Sequence, residues 1–323
     1  MARRPESGKT KDINKTKLDD AARAGWLYYV AGNTQDEIAS KLGVSRQTAQ
    51  RLVSLAVSEK LVKVRLDHPI AQCMDYAARL QAAYGLDEVE VVPSDPGHPD
   101  TTLGIAEAVA ARIEKILSAS DPVTMGIGTG RTLKAAVEQL SFIDCPHHFI
   151  VSLAGNIAPD GSAAFYNVVF NLANKVSAPS FPMPLPVIAA SAGERALLHE
   201  QAGIGRTLAL AQKVQIAIVG VGDLGPSAPL YEDGFVTLDE LKALQNVGAV
   251  GEILGWTFDA EGRVIEGMIN ERVASARLPD RDNALVIAAA KGGNKVEAIR
   301  AALRRRLVNG LITDEDTARA LLG

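Results

Sequence analysis

The chain has 323 residues, a hydrophobic fraction of 47% and a net charge of −4, which is enough to bury a substantial core and to hold a small module beside a larger one. Its two cysteines, Cys73 and Cys145, supply neither a disulfide framework nor a zinc pattern, and no apolar run approaches the ~20 residues a bilayer requires, so a membrane or extracellular protein is disfavoured and a cytoplasmic one is expected. The charge is uneven, +6 over residues 1–66 and −10 over residues 67–323, which draws the first part toward a phosphate backbone and repels the second from it.

Residues 1–17 are basic and polar with no apolar segment behind them, so they resemble no signal peptide and are expected to be a flexible start. From Leu18, apolar residues at Ala21, Ala22, Trp26, Tyr29 and Val30 follow helical spacing, and Gly32 stops that helix. Thr34 then caps a second helix, with Glu37 completing a capping box and Ile38, Ala39 and Leu42 forming its apolar face. Gly43 ends that helix in the left-handed conformation and Val44 plugs the corner. Ser45 caps a third helix in which Ala49, Leu52, Val53 and Ala56 point inward.

This is the layout of a helix-turn-helix, whose second helix enters the major groove. The outward residues after the cap Ser45 are Arg46, Gln47, Thr48, Gln50 and Arg51. Arginine pairs with guanine, glutamine with adenine, and threonine touches a thymine methyl or a phosphate. An ordinary helical hairpin with a solvated face is the plainer alternative; agreement of cap, corner, spacing and local charge favours DNA binding. The following LVKVRL alternates as a strand, a wing that places Lys63 and Arg65 beside the DNA backbone. Residues 67–88 then read as a linker helix, with a dimer contact as its second role.

Beyond Val89, short apolar runs alternate with helical stretches: VEVVPS, LGIAEAVAARIEKIL, VTMGIGTGRTLKAAVEQL, HFIVSLAGN, QIAIVGVG and ALVIAAAKGG. Such alternation predicts a doubly wound, mostly parallel α/β sheet, so the fold expected overall is a winged helix-turn-helix over residues 18–66 followed by an α/β effector domain over 89–323. In GIGTGRT, backbone N–H groups at a helix start face a ligand site. Taken alone, that loop fits phosphate binding and plain packing equally. Arg131 stands where a dinucleotide fingerprint needs its third glycine, and the Gly-Lys-Ser/Thr of a Walker loop is missing. CPHH, residues 145–148, follows no familiar zinc spacing, and Arg304 to Arg306 read as a solvated face. PSFPMPLPVIAAS, with four prolines, reads as a rigid loop near the pocket mouth.

VSRQTAQRL, GIGTGRTL, GAVGEILGWTFDAEGR and the ending AAAKGGNKVEAIRAALRRRLVNGLITDEDTARALL together resemble the SorC family of bacterial transcriptional regulators, from about Leu18 to Leu322. The resemblance implies a large domain similar to sugar-phosphate isomerases and deaminases, with Gly128, Thr129, Gly130, Arg131, Thr132 and Lys295 on the phosphate of an effector. It further implies Glu252 on sugar hydroxyls, with Asn156 and Asn167 as weaker sugar-side candidates. The function implied is regulation of a carbohydrate or sugar-alcohol catabolic operon by a homo-oligomer, dimer or tetramer, whose hold on operator DNA responds to a phosphorylated sugar or polyol. No cofactor, no metal and no membrane partner are expected. The alternative is an enzyme of the isomerase or deaminase kind carrying a DNA-binding end. Against it, GVGDLGPSAP has Asp223 without the histidine that the related deaminases place after their aspartate, so no catalytic residue is expected.

Overall fold

The computed structural model describes residues 7–59, 61–62, 70–158 and 160–323, in two compact units, Met1–His68 and Pro69–Gly323. Lys63 and Arg65, and with them the expected wing, lie outside the described residues.

The first unit contains α1 (Ser7–Tyr29), α2 (Gln35–Leu42) and α3 (Arg46–Ser58). α1 starts inside the stretch 1–17 expected to be flexible, because the polar SGKTKDINKTK carries no apolar period from which a helix can be read. Its inward face also differs from the expected one. Ala21 and Ala24 are fully buried, whereas Trp26 and Tyr29 remain exposed. The cause is close approach: a Cβ added at Gly25 would lie 2.6 Å from Val62 Cγ2 and 2.8 Å from the Cβ of Ala56 on α3, so small residues of α1 face this contact. The rest follows the sequence pattern. Thr34 Oγ1 accepts the Glu37 N–H at 3.3 Å while Glu37 accepts the Thr34 N–H at 2.7 Å. Gly43 turns the corner at φ 65°, and Ser45 caps α3 by accepting the Thr48 N–H at 3.2 Å. Each cap contributes about 0.5–2 kcal/mol to its helix. Ala49, Leu52, Val53 and Ala56 are buried.

The second unit runs α4 (Ala71–Tyr84), β1 (Glu88–Val92), α5 (Leu103–Leu117), β2 (Thr124–Ile127), α6 (Arg131–Gln139), β3 (Phe149–Ser152), α7 (Val168–Ala173) and β4 (Ser180–Phe181). It continues with α8 (Ala192–Glu200), α9 (Ala202–Ala211), β5 (Ile216–Val219), β6 (Gly222–Asp223), α10 (Pro229–Glu232), α11 (Leu238–Asn246), β7 (Ala249–Ile253) and β8 (Trp256–Asp259). β9 (Leu285–Ala289), α12 (Val296–Arg304), β10 (Gly310–Asp314) and α13 (Glu315–Leu322) complete it. The seven-stranded sheet has the order β1-β10-β9-β5-β2-β3-β4, and every pairing in it is parallel.

The apolar runs form strands because both faces of the sheet are covered. Alternate residues of one strand serve opposite cores: Ile218, Ile287 and Ile312 pack with α5, α6 and α7, while Val219, Val286 and Leu311 pack with α4, α12 and α13. The helix expected as a linker is thus a layer of this unit. Leu80 of α4 is fully buried, and the Tyr84 hydroxyl donates to the Leu321 carbonyl at 2.9 Å. A second, antiparallel sheet of order β6-β7-β8 stands beside the main one. Among the described residues no helix is long and apolar enough to cross a membrane.

Candidate functional site

From β2 the chain moves outward to β3 and β4, then returns to the other side of β2 with β5 and continues away through β9 and β10. In such sheets the carboxyl ends of the two strands where the winding reverses leave a crevice for a ligand. A cleft of about 260 Å³ opens there, between the loops following β2 and β5. It lies just under the ~300–1,000 Å³ typical of drug-sized ligands, which suits a smaller guest.

One wall is the start of α6. Thr129, Gly130, Arg131 and Thr132 line the cleft, and α6 has no side-chain cap, so its first-turn N–H groups face the cleft as donors. Lys295 enters beside them from the turn that precedes α12, its Nζ donating to the Val221 carbonyl at 3.0 Å. Burial pulls this ammonium below the ordinary lysine range, with Glu252 and Asp223 resisting the shift.

Glu252 enters from β7, where it pairs with Gly222 of β6. A Cβ on Gly222 would lie 2.2 Å from Glu252 Oε1, so the glycine is what lets the carboxylate lie across β6. Glu252 Oε2 accepts the Gly255 N–H at 2.7 Å. Burial nonetheless pushes the carboxyl above its ordinary range. Leu254 and Gly255 form the two-residue β7–β8 turn, at φ 57° and 86°. This turn type wants asparagine, aspartate or glycine at its first position. A buried leucine held there, lining the cleft, is backbone strain of the sort that collects at ligand sites.

Tyr166, Glu232 and Asp233, which line the cleft, escaped the sequence reading. Arg131 does not point free into the cleft: Nη2 lies 2.8 Å from Glu232 Oε2 and 3.9 Å from Asp233 Oδ1, and Nε donates to the Tyr166 hydroxyl at 3.1 Å. Tyr166 in turn donates to the Asp233 carboxylate, 3.1 Å from each oxygen. Hydrogen bonds with Glu232 and Tyr166 hold the guanidinium above its ordinary value, and burial raises the phenol. The signal for Glu232 and Asp233 was the YEDG turn, but α10 is too short to show a period.

Three expected residues do not line the cleft. The Gly128 N–H donates to the Ile218 carbonyl at 2.9 Å, extending the β2–β5 ladder. Asn156 is fixed behind the wall, its N–H donating to Met183 and its carbonyl accepting from Ala164. Asn167 occupies the cap of α7 at φ 40°. Asn156 Nδ2 and Asn167 Oδ1 are both buried without a hydrogen-bond partner, and each is the chain neighbour of a lining residue, Gly155 and Tyr166. The proline-rich segment contributes Val187 to the lining, and its backbone at Leu185 and Pro186 closes on Gly155. His148, the last residue of CPHH, is buried with both ring nitrogens occupied, by the Val123 N–H at 3.0 Å and the Leu117 carbonyl at 3.2 Å.

In the first unit, Arg46, Gln47, Thr48, Gln50 and Arg51 are all exposed on the opening turns of α3. Arg46 reaches Asp36 of α2 at 3.4 Å, and the Thr48 hydroxyl lies 2.9 Å from that of Ser45.

Residues 68–323 match the family described as "Putative sugar-binding domain". The erythritol catabolism regulatory protein EryD of Brucella abortus (strain 2308) is 38% identical over 305 residues, covering 94% of this chain and 96% of that protein. The transcriptional regulator LsrR of Escherichia coli (strain K12) is 30% identical over 310 residues, 94% of each chain. In fold, the full-length sorbitol operon regulator SorC from Klebsiella pneumoniae superposes with a TM-score of 0.69 at 20% identity, over 95% of this chain and all of that one. Asp223, where a catalytic role would fall, is engaged by the Gly225 N–H at 3.0 Å and the Asn294 amide at 2.8 Å, and these relatives are regulators, so the reading as an isomerase or deaminase is set aside. The chain belongs to the SorC family of transcriptional regulators, with that family's sugar-binding domain over residues 68–323.

Proposed function

We propose that the protein controls a carbohydrate or sugar-alcohol catabolic operon, holding operator DNA through a helix-turn-helix made by α2 and α3 and releasing or tightening that hold when a small polyhydroxy effector fills the cleft. The observation that carries this reading is the convergence of Lys295, Glu252 and the uncapped start of α6 on one cleft at the winding reversal. That half of the cleft suits the oxygen-rich end of a ligand, whether a hydroxyl pair or the phosphate of a phosphorylated sugar or polyol. A relative named for erythritol catabolism makes a four-carbon polyol the first effector to try. The test is operator binding measured across a panel of sugars, polyols and their phosphates, with thermal unfolding alongside. A ligand at a hundred times its dissociation constant adds about 2.7 kcal/mol of stability. No shift in either measurement across the panel would remove the reading.

On the DNA side, Arg46, Gln47 and Gln50 are assigned to base edges, Thr48 and Arg51 to the backbone. Gln47→Ala is expected to relax sequence preference at one operator position by about 1–3 kcal/mol, and Arg51→Ala to weaken all sites alike and flatten the salt dependence. Footprinting on scrambled operators separates the two; equal, uniform losses would defeat the assignment.

A homo-oligomer, dimer or tetramer, completes the proposal. One helix-turn-helix makes too few contacts for operator-level affinity, and joining two multiplies it through effective concentration. Light scattering should therefore give at least a dimer, and the operator should hold inverted half-sites. A monomer that still binds tightly would exclude this.

A further inference from the structure

We propose that Leu254 sets the length of the effector: its side chain is the floor of the cleft and stops a polyol chain at about the length of erythritol. This role rests on the reading of the cleft as the effector site and adds the ligand's size to it, whether or not the effector carries a phosphate.

Leu254 and Gly255 are the two central residues of the β7–β8 turn, and both have positive φ, 57° and 86°. A residue with a Cβ is strained in that conformation, whereas glycine or asparagine adopts it readily. The turn by itself therefore does not ask for leucine. Nor is the strain free to relax. Glu252 Oε2 accepts the Gly255 N–H at 2.7 Å, and a Cβ on Gly255 would lie 2.9 Å from Val187 Cγ1 and 3.6 Å from Val273 Cγ1, both valines being buried. One hydrogen bond and close packing fix the turn, and the turn fixes Leu254.

The leucine side chain has the cleft on one side and the sheet on the other. Leu254 is 6% exposed and lines the cleft. Toward the sheet, a Cβ built on Gly128 would lie 3.2 Å from Leu254 Cδ2 and 3.4 Å from the Cα of Val219. Gly128 follows β2 and Val219 ends β5, and neither lines the cleft. Leu254 is thus the layer between the strand ends and the ligand space, and glycine at 128 leaves room for it. Val187, Val221 and Ala289 add further apolar lining. A polyol whose hydroxyls are taken up by Lys295, Glu252 and the start of α6 runs out of partners at this floor. One more hydroxymethylene group would bury its hydroxyl unpaired against the leucine methyls, or displace a side chain that the turn holds in place. The cleft volume of about 260 Å³ agrees with a short guest.

The experiment is calorimetric titration of the full chain with glycerol, erythritol, ribitol and sorbitol, and with the terminal phosphate of each, for the parent, L254G, L254A and G128A. Affinities are compared along each length series, phosphates with phosphates, and thermal unfolding checks that every variant folds. L254G and L254A both open the floor, the first without the strained backbone and the second with it. G128A acts the other way, because its added methyl presses on Leu254 Cδ2 and moves it toward the cleft. The parent is expected to bind the erythritol member more tightly than the ribitol and sorbitol members. In L254G and L254A the affinity for the longer members relative to erythritol is expected to rise about tenfold or more, the scale on which a pocket reads one methylene, and in G128A to fall. Equal losses at every length in L254G and L254A would make Leu254 a packing residue and overturn the proposal, with the cleft still the effector site. A parent that binds the sorbitol member as tightly as the erythritol member overturns it too. So does an unchanged length preference in G128A, which keeps the test decisive if the leucine variants do not fold. If no member of either series binds the parent or any variant, the effector reading itself fails, and the length assignment falls with it.

Discussion

Lys291→Met is expected to lower the unfolding free energy of the second unit by about 3–5 kcal/mol, the cost of leaving a buried carboxylate without its counter-ion. Lys291 Nζ lies 2.9 Å from Asp314 Oδ2, with side chains 11% and 5% exposed, and donates also to the Thr101 carbonyl at 2.9 Å. Asp314 ends β10 and caps α13 by accepting the Thr317 N–H at 3.0 Å. Burial pushes its carboxyl up, yet the hydrogen bonds from Thr317 and Lys291 prevail and hold it below the ordinary aspartate range. A depressed carboxyl contributes stability that is present above its unfolded pKa, about 3.9, and is lost as pH falls through the lower folded value. In the variant the burial has no opponent of equal strength, so protonation comes at higher pH and relieves part of the damage. Urea unfolding at neutral and mildly acidic pH should therefore show a large difference between parent and variant that narrows on acidification. A loss under about 1 kcal/mol at neutral pH would place this pair with ordinary surface ion pairs. The consequence for function is direct, because Lys291 opens the same turn that delivers Lys295 to the cleft and that Thr317 fastens through the Gly292 N–H at 2.9 Å.

Lys295→Ala should weaken effector binding by about 1.5–3 kcal/mol, roughly ten- to a hundred-fold, the worth of a hydrogen bond from a charged donor. Thr132→Ala, which removes a neutral hydroxyl at the start of α6, should cost about 0.5–1.5 kcal/mol. An effector shifts the equilibrium between DNA-holding states only through its differential affinity for them, so both variants should need more effector for the same change in operator binding. Effector-free operator binding should match the parent, since the proposed DNA face is on α3, in the other unit. Calorimetry reads the first quantity and a mobility assay the second. If effector affinity is unchanged in both variants, the start of α6 is packing and the ligand sits elsewhere on the sheet edge.

The parts of this protein that were legible in its sequence are those built from short-range rules. Thr34, Gly43 and Ser45 act on atoms within a few residues, so caps and corner were readable from spacing alone. The runs around Ile127, Ile218 and Ile287 read as buried strands because both sides of each strand are apolar. Lys295 and Glu252 came from resemblance, and the cleft brings them together. What stayed hidden depends on distance. Glu232 reaches Arg131 across 101 residues of chain and Tyr166 across 35, from a four-residue helix with no pattern to read. Gly25 against Ala56 left Trp26 and Tyr29 of the expected apolar set of α1 exposed while Ala21 is buried, because the nearness of two helices outweighs the size of their side chains. Asn156 and Asn167 stop one residue short of the cleft for a similar reason, the backbone pairing that turns each away.

The pairing of β1 with β10 in register, Glu88 against Gly310 through Val92 against Asp314, bears on the order in which the protein can fold. Synthesis proceeds from the N-terminus at about 5–20 residues per second, and domains fold as units while it does. Among the described residues the three helices of the first unit pack on one another and on Val62, so that unit can close early on the ribosome. The sheet cannot: among the described residues β1, though translated early, pairs with a strand more than two hundred residues later, and α4 waits as long for Leu321. Every nascent chain therefore passes through a period in which the first unit can be closed and the sheet of the second cannot. The interval sets how long an open sheet edge is offered to chaperones, and it ties completion of the sheet to the synthesis of β10.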